Sequence, residues 1–264
     1  MHTRTLALVG ATGGAGTTRT AVELAALGAR DGRDVAVIDA AFTTQGLSEY
    51  VAGRIGTDLT ALLTDETDAS LSAAAYPIRA GRGGDDAGEA ATLPGRADLI
   101  PARAPFERVA RAKTAEAARK LERRIDEATT AYDAVIVDVA PVGSNEAVGA
   151  VAAADRVEAV TPATAHGRDA LQRLRGRVAD VGESVDGTIA VERAAGADSE
   201  GNGGVSADTR LPAVDPAVRS APEAATGTGA YVEALAGAYE RAFDASVGIE
   251  FEEPGLVERM RSRG

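Results

Sequence analysis

An apolar run, TLALVG from Thr5 to Gly10, is followed at once by ATGGAG and then by TTRTAVELAALGARDG, whose Ala21, Leu24, Ala25 and Leu27 share one helical face. Strand, glycine-rich turn and helix in that order leave the chain little freedom. Gly13, Gly14 and Gly16 let the turn aim its backbone N–H groups inward at the helix start, where the helix adds partial positive charge, so the turn is a candidate anion site. Gly28 and Gly32 mark the helix end, and DVAVID from Asp34 to Asp39 reads as a second strand that completes a βαβ unit.

Further strand patterns lie at 97–102, 134–138, 156–161 and 187–192, with a short one near Arg210 and Leu211. A helix is expected from Arg111 to Ala128, with Ala118, Leu121, Ile125 and Ala128 facing a sheet and Arg119, Lys120, Glu122, Arg123 and Arg124 facing water. Near-continuous apolar strands alternating with amphipathic helices predict an α/β fold, a mostly parallel twisted sheet with helices on both faces and its ligand at the strand C-terminal ends. The 264 residues suit one domain, 1–246, with 247–264 as a C-terminal tail. GRGGDDAGEA (81–90) and AAGADSEGNGGVSAD (194–208) hold almost no large apolar groups and read as mobile surface loops.

Composition narrows the chemistry. With no cysteine, the chain has no disulfide, no thiolate nucleophile and no Cys-ligated metal, and His2 and His166 are too few for a His-rich metal site. His166 reads as a solvated loop residue. A net charge of −12 argues against general nucleic-acid binding. Lys113 and Lys120 are the only lysines among 28 basic residues, which leaves 26 arginines. An acidic, Lys-poor, Ala-rich chain fits a halophilic source and equally a GC-rich genome. No apolar run approaches the roughly 20 residues that span a bilayer, and LALVGA is too short for a secretory segment, so a cytoplasmic protein is expected.

The turn resembles the deviant Walker A loop of the MinD/ParA family of P-loop ATPases, which reads GKGGVGKTT where this chain has ATGGAGTTR (Ala11 to Arg19). Similar segments recur along the chain. VAVIDAAF (Val35 to Phe42) resembles the family's VVVIDADF, and YDAVIVDVAPVG (Tyr132 to Gly143) resembles its Walker B stretch, with Asp138 at the Mg-linked position. ADRVEAVTPATAHGRDA (154–170) and LPAVDPAVRSA (211–221) are similar to two later family segments. The resemblance implies a P-loop NTPase fold and ATP or ADP with Mg at Gly13, Gly14, Ala15, Gly16, Thr17, Thr18, Asp39, Asp138, Glu192 and Pro212, with Thr18 and Asp138 at the metal. It also implies a protein partner, a homodimer, a role in cellular positioning and a membrane-binding tail. Here the tail, PGLVERMRSRG, offers only Leu256, Val257 and Met260, so its membrane association would be weak.

Three departures from the family pattern strip charge from the site. Thr12 stands where the family has its signature lysine, which reaches across a dimer, and Thr17 stands where it has the phosphate-binding lysine. No lysine precedes position 113, so no shift of register restores either, and Arg19 lies two residues further along the helix and should point elsewhere. Ala41 replaces the aspartate that the family associates with the attacking water. Glu192 replaces the asparagine that reads adenine, while Arg193 after it matches the arginine that follows that asparagine in the family. These changes predict weakened nucleotide binding, absent or very slow hydrolysis, and a regulator or scaffold rather than an enzyme.

Other readings stay open at this point. Compensating groups could keep an ATPase alive. The same turn fits a dinucleotide-binding Rossmann protein with Gly10, Gly13 and Gly16 at the pyrophosphate and Asp39 on the ribose, although the 29 residues from Gly10 to Asp39 exceed the usual roughly 20–25. The loop could also be a plain turn without cofactor, with Thr17 or Thr18 as helix N-cap and Asp39 and Asp138 bonding backbone.

Overall fold

The computed structural model describes residues 3–65, 69–78, 92–193 and 205–251. The apolar runs become β1 (Thr5–Gly10), β2 (Asp34–Asp39), β4 (Arg96–Ile100), β5 (Ala134–Val139), β6 (Arg156–Pro162), β7 (Gly187–Val191) and β8 (Thr209–Leu211). One further strand, β3 (Tyr76–Pro77), carries no alternation and lies antiparallel on β4 at the sheet edge, where a proline costs no ladder bond. The strand order is β3-β4-β2-β5-β1-β6-β7-β8, and every other pairing is parallel.

In this order β5 stands between β1 and β2 and pairs with both. The first two strands of the expected βαβ unit are therefore not neighbours. That overturns the dinucleotide-binding reading, whose first two strands lie side by side.

Alternation along the buried strands sends side chains into two cores. Ala7, Val9, Ala36 and Ile38 enter one with α2 (Leu59–Thr64), α3 (Phe106–Ala112), α4 (Ala115–Ala131), α5 (Asn145–Ala152) and α6 (Ala165–Asp180). Leu6, Leu8, Val35 and Val37 enter the other with α1 (Thr17–Arg30) and α7 (Ala230–Phe243). Val247, Ile249 and Phe251 pack against this second core. The expected stripe on α1 is wider than its pattern suggested: every residue from Thr20 to Ala29 is buried, because α7 and the turn at Glu223–Ala225 cover its outer side.

Three local expectations need correction. The helix expected from Arg111 is two helices, broken where the Thr114 hydroxyl accepts from the Ala117 N–H at 3.2 Å and caps α4. The segment 194–208 is irregular over 205–208 as expected but is not all surface, since Val205 is buried in the first core and Asp208 accepts from the Thr188 N–H at 2.8 Å as the chain enters β8. His166 is the exposed second residue of α6 rather than a loop residue. The remainder of 194–208, the segment 81–90, His2 and the tail Pro254 to Gly264 lie outside the described residues. Among the described residues, no helix is long and apolar enough to cross a membrane.

Gly28 does not end α1 but sits inside it, where a Cβ would lie 2.7 Å from Val35 Cγ2 and 2.8 Å from the Tyr239 hydroxyl. Glycine here lets α1 press on β2 and α7 at once. Gly28→Ala would gain helix propensity of about 1 kcal/mol, yet overpacking costs about 1–3 kcal/mol. The expected result is a lower midpoint in chemical denaturation, and an unchanged or raised midpoint would contradict this packing.

Candidate functional site

The chain leaves β1 at Gly10, and the Ala11 N–H bonds the Val160 carbonyl of β6 at 2.8 Å, which holds the turn over the C-terminal ends of these interior strands. Gly14 (φ 69°) and Gly16 (φ 93°) then take left-handed conformations that side chains resist. Gly13 needs neither a special φ nor close quarters, because a Cβ there would meet open space. Gly16 is the N-cap of α1 and Thr17 its first residue, so the N-cap reading of Thr17 and Thr18 is overturned. Gly16 has no side chain to cap with, and the first N–H groups of α1 gain no side-chain partner from it.

Thr17 is buried, its hydroxyl leaning over Gly10, where a Cβ would come within 2.8 Å. Thr18 turns the other way and donates its hydroxyl to Asp138 Oδ2 at 2.6 Å. Asp138, near the end of β5, is paired in register with Asp39 at the end of β2. Both carboxylates are buried. Asp39 accepts from the Ala41 N–H at 2.9 Å and from the Ala102 N–H at 3.3 Å. Burial and the adjacent Asp138 outweigh these donors and push Asp39 up to about 8. Burial raises Asp138 to about 6 against the opposing Thr18 hydrogen bond.

A cavity of about 340 Å³ opens between the turn, the start of α1, the end of β5 and the chain after β2. Of the residues predicted from sequence, it gathers Gly13, Gly14, Ala15, Gly16, Thr17, Thr18 and Asp138 in one wall. Asp39 lies beneath, behind Asp138 in the sheet. Glu192 and Pro212 sit outside this wall at the exits of β7 and β8, joined by a 2.9 Å bond from the Glu192 N–H to the Leu211 carbonyl. The cavity wall also takes in Thr44, Gly46, Glu49 and Tyr50, which no motif marked in the sequence.

Charge is sparse in this wall. Thr12, Thr17 and Ala41 all line it, and none of them carries a charge. Arg19 also lines it, but its guanidinium is engaged by Glu23 and by the carbonyls of Asp215 (3.2 Å) and Ala217 (3.4 Å), as its position on the helix predicts. Arg193 places a nitrogen 2.8 Å from the Gly14 carbonyl. The hydroxyl of Thr18 and the carboxylate of Asp138 are hard oxygen donors at the cavity floor, a pair that fits a magnesium ion keeping most of its waters. The arrangement can cradle a phosphate chain on backbone N–H groups, but Ala41 offers only a methyl group to the cavity.

A family model described as an AAA domain matches residues 3–191. No curated protein matches the chain. Among solved structures, the Mg-ADP complex of the septum site-determining protein MinD from Pyrococcus horikoshii superposes with a TM-score of 0.68 at 18% identity, covering 90% of this chain and 95% of that one. The ATP complex of an aspartate-to-alanine variant of McdA from Cyanothece gives 0.64 at 17% identity, covering 94% and 99%. A ParA family ATPase from Chlorobium tepidum gives 0.61 at 20% identity, covering 83% and 88%.

Proposed function

The chain belongs to the MinD/ParA family of P-loop ATPases, and from that premise we propose that it holds a nucleoside polyphosphate with magnesium without hydrolysing it, and serves as a regulator or scaffold in cellular positioning. One observation carries the reading. The turn is built for an anion, with Gly14 and Gly16 left-handed and Thr18 bonded to Asp138, while Thr12, Thr17 and Ala41 stand where charge would drive phosphoryl transfer. Positioning by backbone N–H groups survives such changes. Stabilisation of the transferring phosphoryl group and orientation of water do not.

The solved relatives with Mg-ADP and with ATP support the choice of ligand. A second copy and a separate protein partner are the expected binders of the outer surfaces, and the C-terminal segment, with its three apolar anchors, is a weak membrane anchor at most.

Thr17→Lys tests the reading. A charge-assisted hydrogen bond is worth about 1.5–3 kcal/mol, so restoring the phosphate lysine is expected to tighten ATP binding by about ten- to a hundredfold in calorimetry. Turnover stays at background, because Ala41 still supplies no carboxylate. Brisk Mg-dependent hydrolysis by the wild type, abolished in Asp138→Asn, would overturn the proposal.

A further inference from the structure

Two arginines reach the glycine turn, and they spend their guanidiniums differently. Arg19 is committed to Glu23 and to two carbonyls of the 215–217 segment. Arg193 gives one nitrogen to the Gly14 carbonyl and, among the described residues, forms no ion pair. It is exposed.

Its placement is fixed by the sheet rather than by chance of rotamer. The Val191 methyl groups lie 3.6 Å from where a Gly16 Cβ would be, so the end of β7 rests directly on the turn. The Glu192 N–H is tied to the Leu211 carbonyl, which holds the chain leaving β7 against β8, and from there Arg193 reaches the Gly14 carbonyl at 2.8 Å. A guanidinium carries five donors in a planar fork. One bond to a neutral carbonyl anchors the fork without cancelling its charge, and the remaining donors, which have no partner among the described residues, suit the oxygens of a bidentate anion.

The turn itself has no cation of its own. Lys113, the first lysine in the chain, is held elsewhere by Thr43 (3.0 Å) and Glu146 (3.4 Å). We infer that Arg193 is the phosphate-binding cation of this site, delivered from the end of β7 to replace the charge that Thr12 and Thr17 lack, and that its ligand is the polyphosphate chain of a nucleotide. This rests on the reading above that the turn takes phosphate.

The test is calorimetric titration of Mg-ATP, Mg-ADP and Mg-pyrophosphate into the full chain as wild type, Arg193→Ala, Arg193→Lys and the double variant Arg193→Ala with Thr17→Lys. Arg193→Ala is expected to weaken all three ligands at least tenfold, Arg193→Lys to weaken them less, and Thr17→Lys to restore binding in the Arg193→Ala background. Wild type and Arg193→Ala binding alike would overturn the inference while leaving the nucleotide reading intact. Absence of saturable binding by the wild type would overturn both. A loss that neither lysine repairs would show that Arg193 only shapes the turn, which also overturns a charge role.

Discussion

Asp39→Asn raises the thermal midpoint of the ligand-free protein at pH 8 and flattens its decline with pH. In the folded chain Asp39 is pushed up to about 8 and Asp138 to about 6, both by burial first and Asp39 also by its neighbour. An unfolded aspartate ionises near about 4. The folded state therefore binds these protons more tightly than the unfolded one, and linkage gives the sign: the contribution of this pair to stability is fully present below about pH 4 and is lost as pH rises through about 6 and then about 8. At pH 8 the wild type holds Asp138 ionised beside an Asp39 that is about half ionised in a buried sheet, with most of the unfavourable energy already expressed. A tenfold difference in proton affinity between the folded and unfolded chain corresponds to about 1.4 kcal/mol, so the relief from neutralising Asp39 is expected to be at least about 2 kcal/mol.

The asparagine is not without cost. Its carbonyl can still accept from Ala41, but its amide nitrogen would face the Ala102 N–H, whose bond at 3.3 Å is the longer of the two. Losing one long hydrogen bond costs about 1 kcal/mol, less than the charge relief at pH 8 and comparable to it near pH 5. The variant should therefore cross the wild type, less stable or equal at pH 5 and more stable at pH 8. Parallel melting curves across that range would mean that water reaches the pair and that the two carboxylates are not repelling each other.

Much of the fold could be read from short-range pattern. Thr5–Gly10 and Asp34–Asp39 become strands over the residues predicted, because buried parallel strands need nearly unbroken apolar runs and glycine or charge ends them. Ala118, Leu121, Ile125 and Ala128 are buried as their helical spacing requires. What periodicity could not supply was the sheet order, since nothing in TLALVG or DVAVID says that Ala134–Val139 will insert between them. The edge strand at Tyr76 and Pro77 gave no signal because two residues have no period.

The candidate site divides in the same way. Gly14, Gly16 and Thr18 were legible because a turn between strand and helix carries its geometry in its own residues, while Asp138, 120 positions from Thr18, was marked by the resemblance. Glu49 and Tyr50 enter the cavity through the path of the chain after β2, and Arg193 reaches Gly14 across 179 positions. Only folding brings such groups together. The Arg19–Glu23 pair stands between these cases: its spacing of four on a helix was visible, but the partners that make it matter were not.

Those partners make Glu23→Ala the most damaging single change expected in this molecule. Glu23 is fully buried and accepts from Arg19, from the Glu223 N–H at 3.1 Å and from the Ala224 N–H at 2.8 Å. Burial raises its carboxyl, while the Ala224 N–H and the Arg19 charge pull the other way. Truncation would remove all these bonds and leave a guanidinium in the interior whose Nη2 already lacks a partner among the described residues. Breaking a buried pair from one side costs about 3–5 kcal/mol. The loss would also loosen the 215–224 segment on α1, since the guanidinium that holds the carbonyls of Asp215 and Ala217 is the one Glu23 orients, leaving Arg30 on the Ala224 carbonyl as the remaining polar tie among the described residues. Urea denaturation checks the magnitude, and the double variant Arg19→Met with Glu23→Leu separates the two costs. Removing both charges should recover much of the loss, because apolar groups of similar volume do not need solvation. A cost below about 1 kcal/mol for Glu23→Ala would place the pair with screened surface bridges. The latch between α1 and the chain after β8 would then depend on apolar packing and on Arg30, which donates to the carbonyls of Ala224 and Gly227.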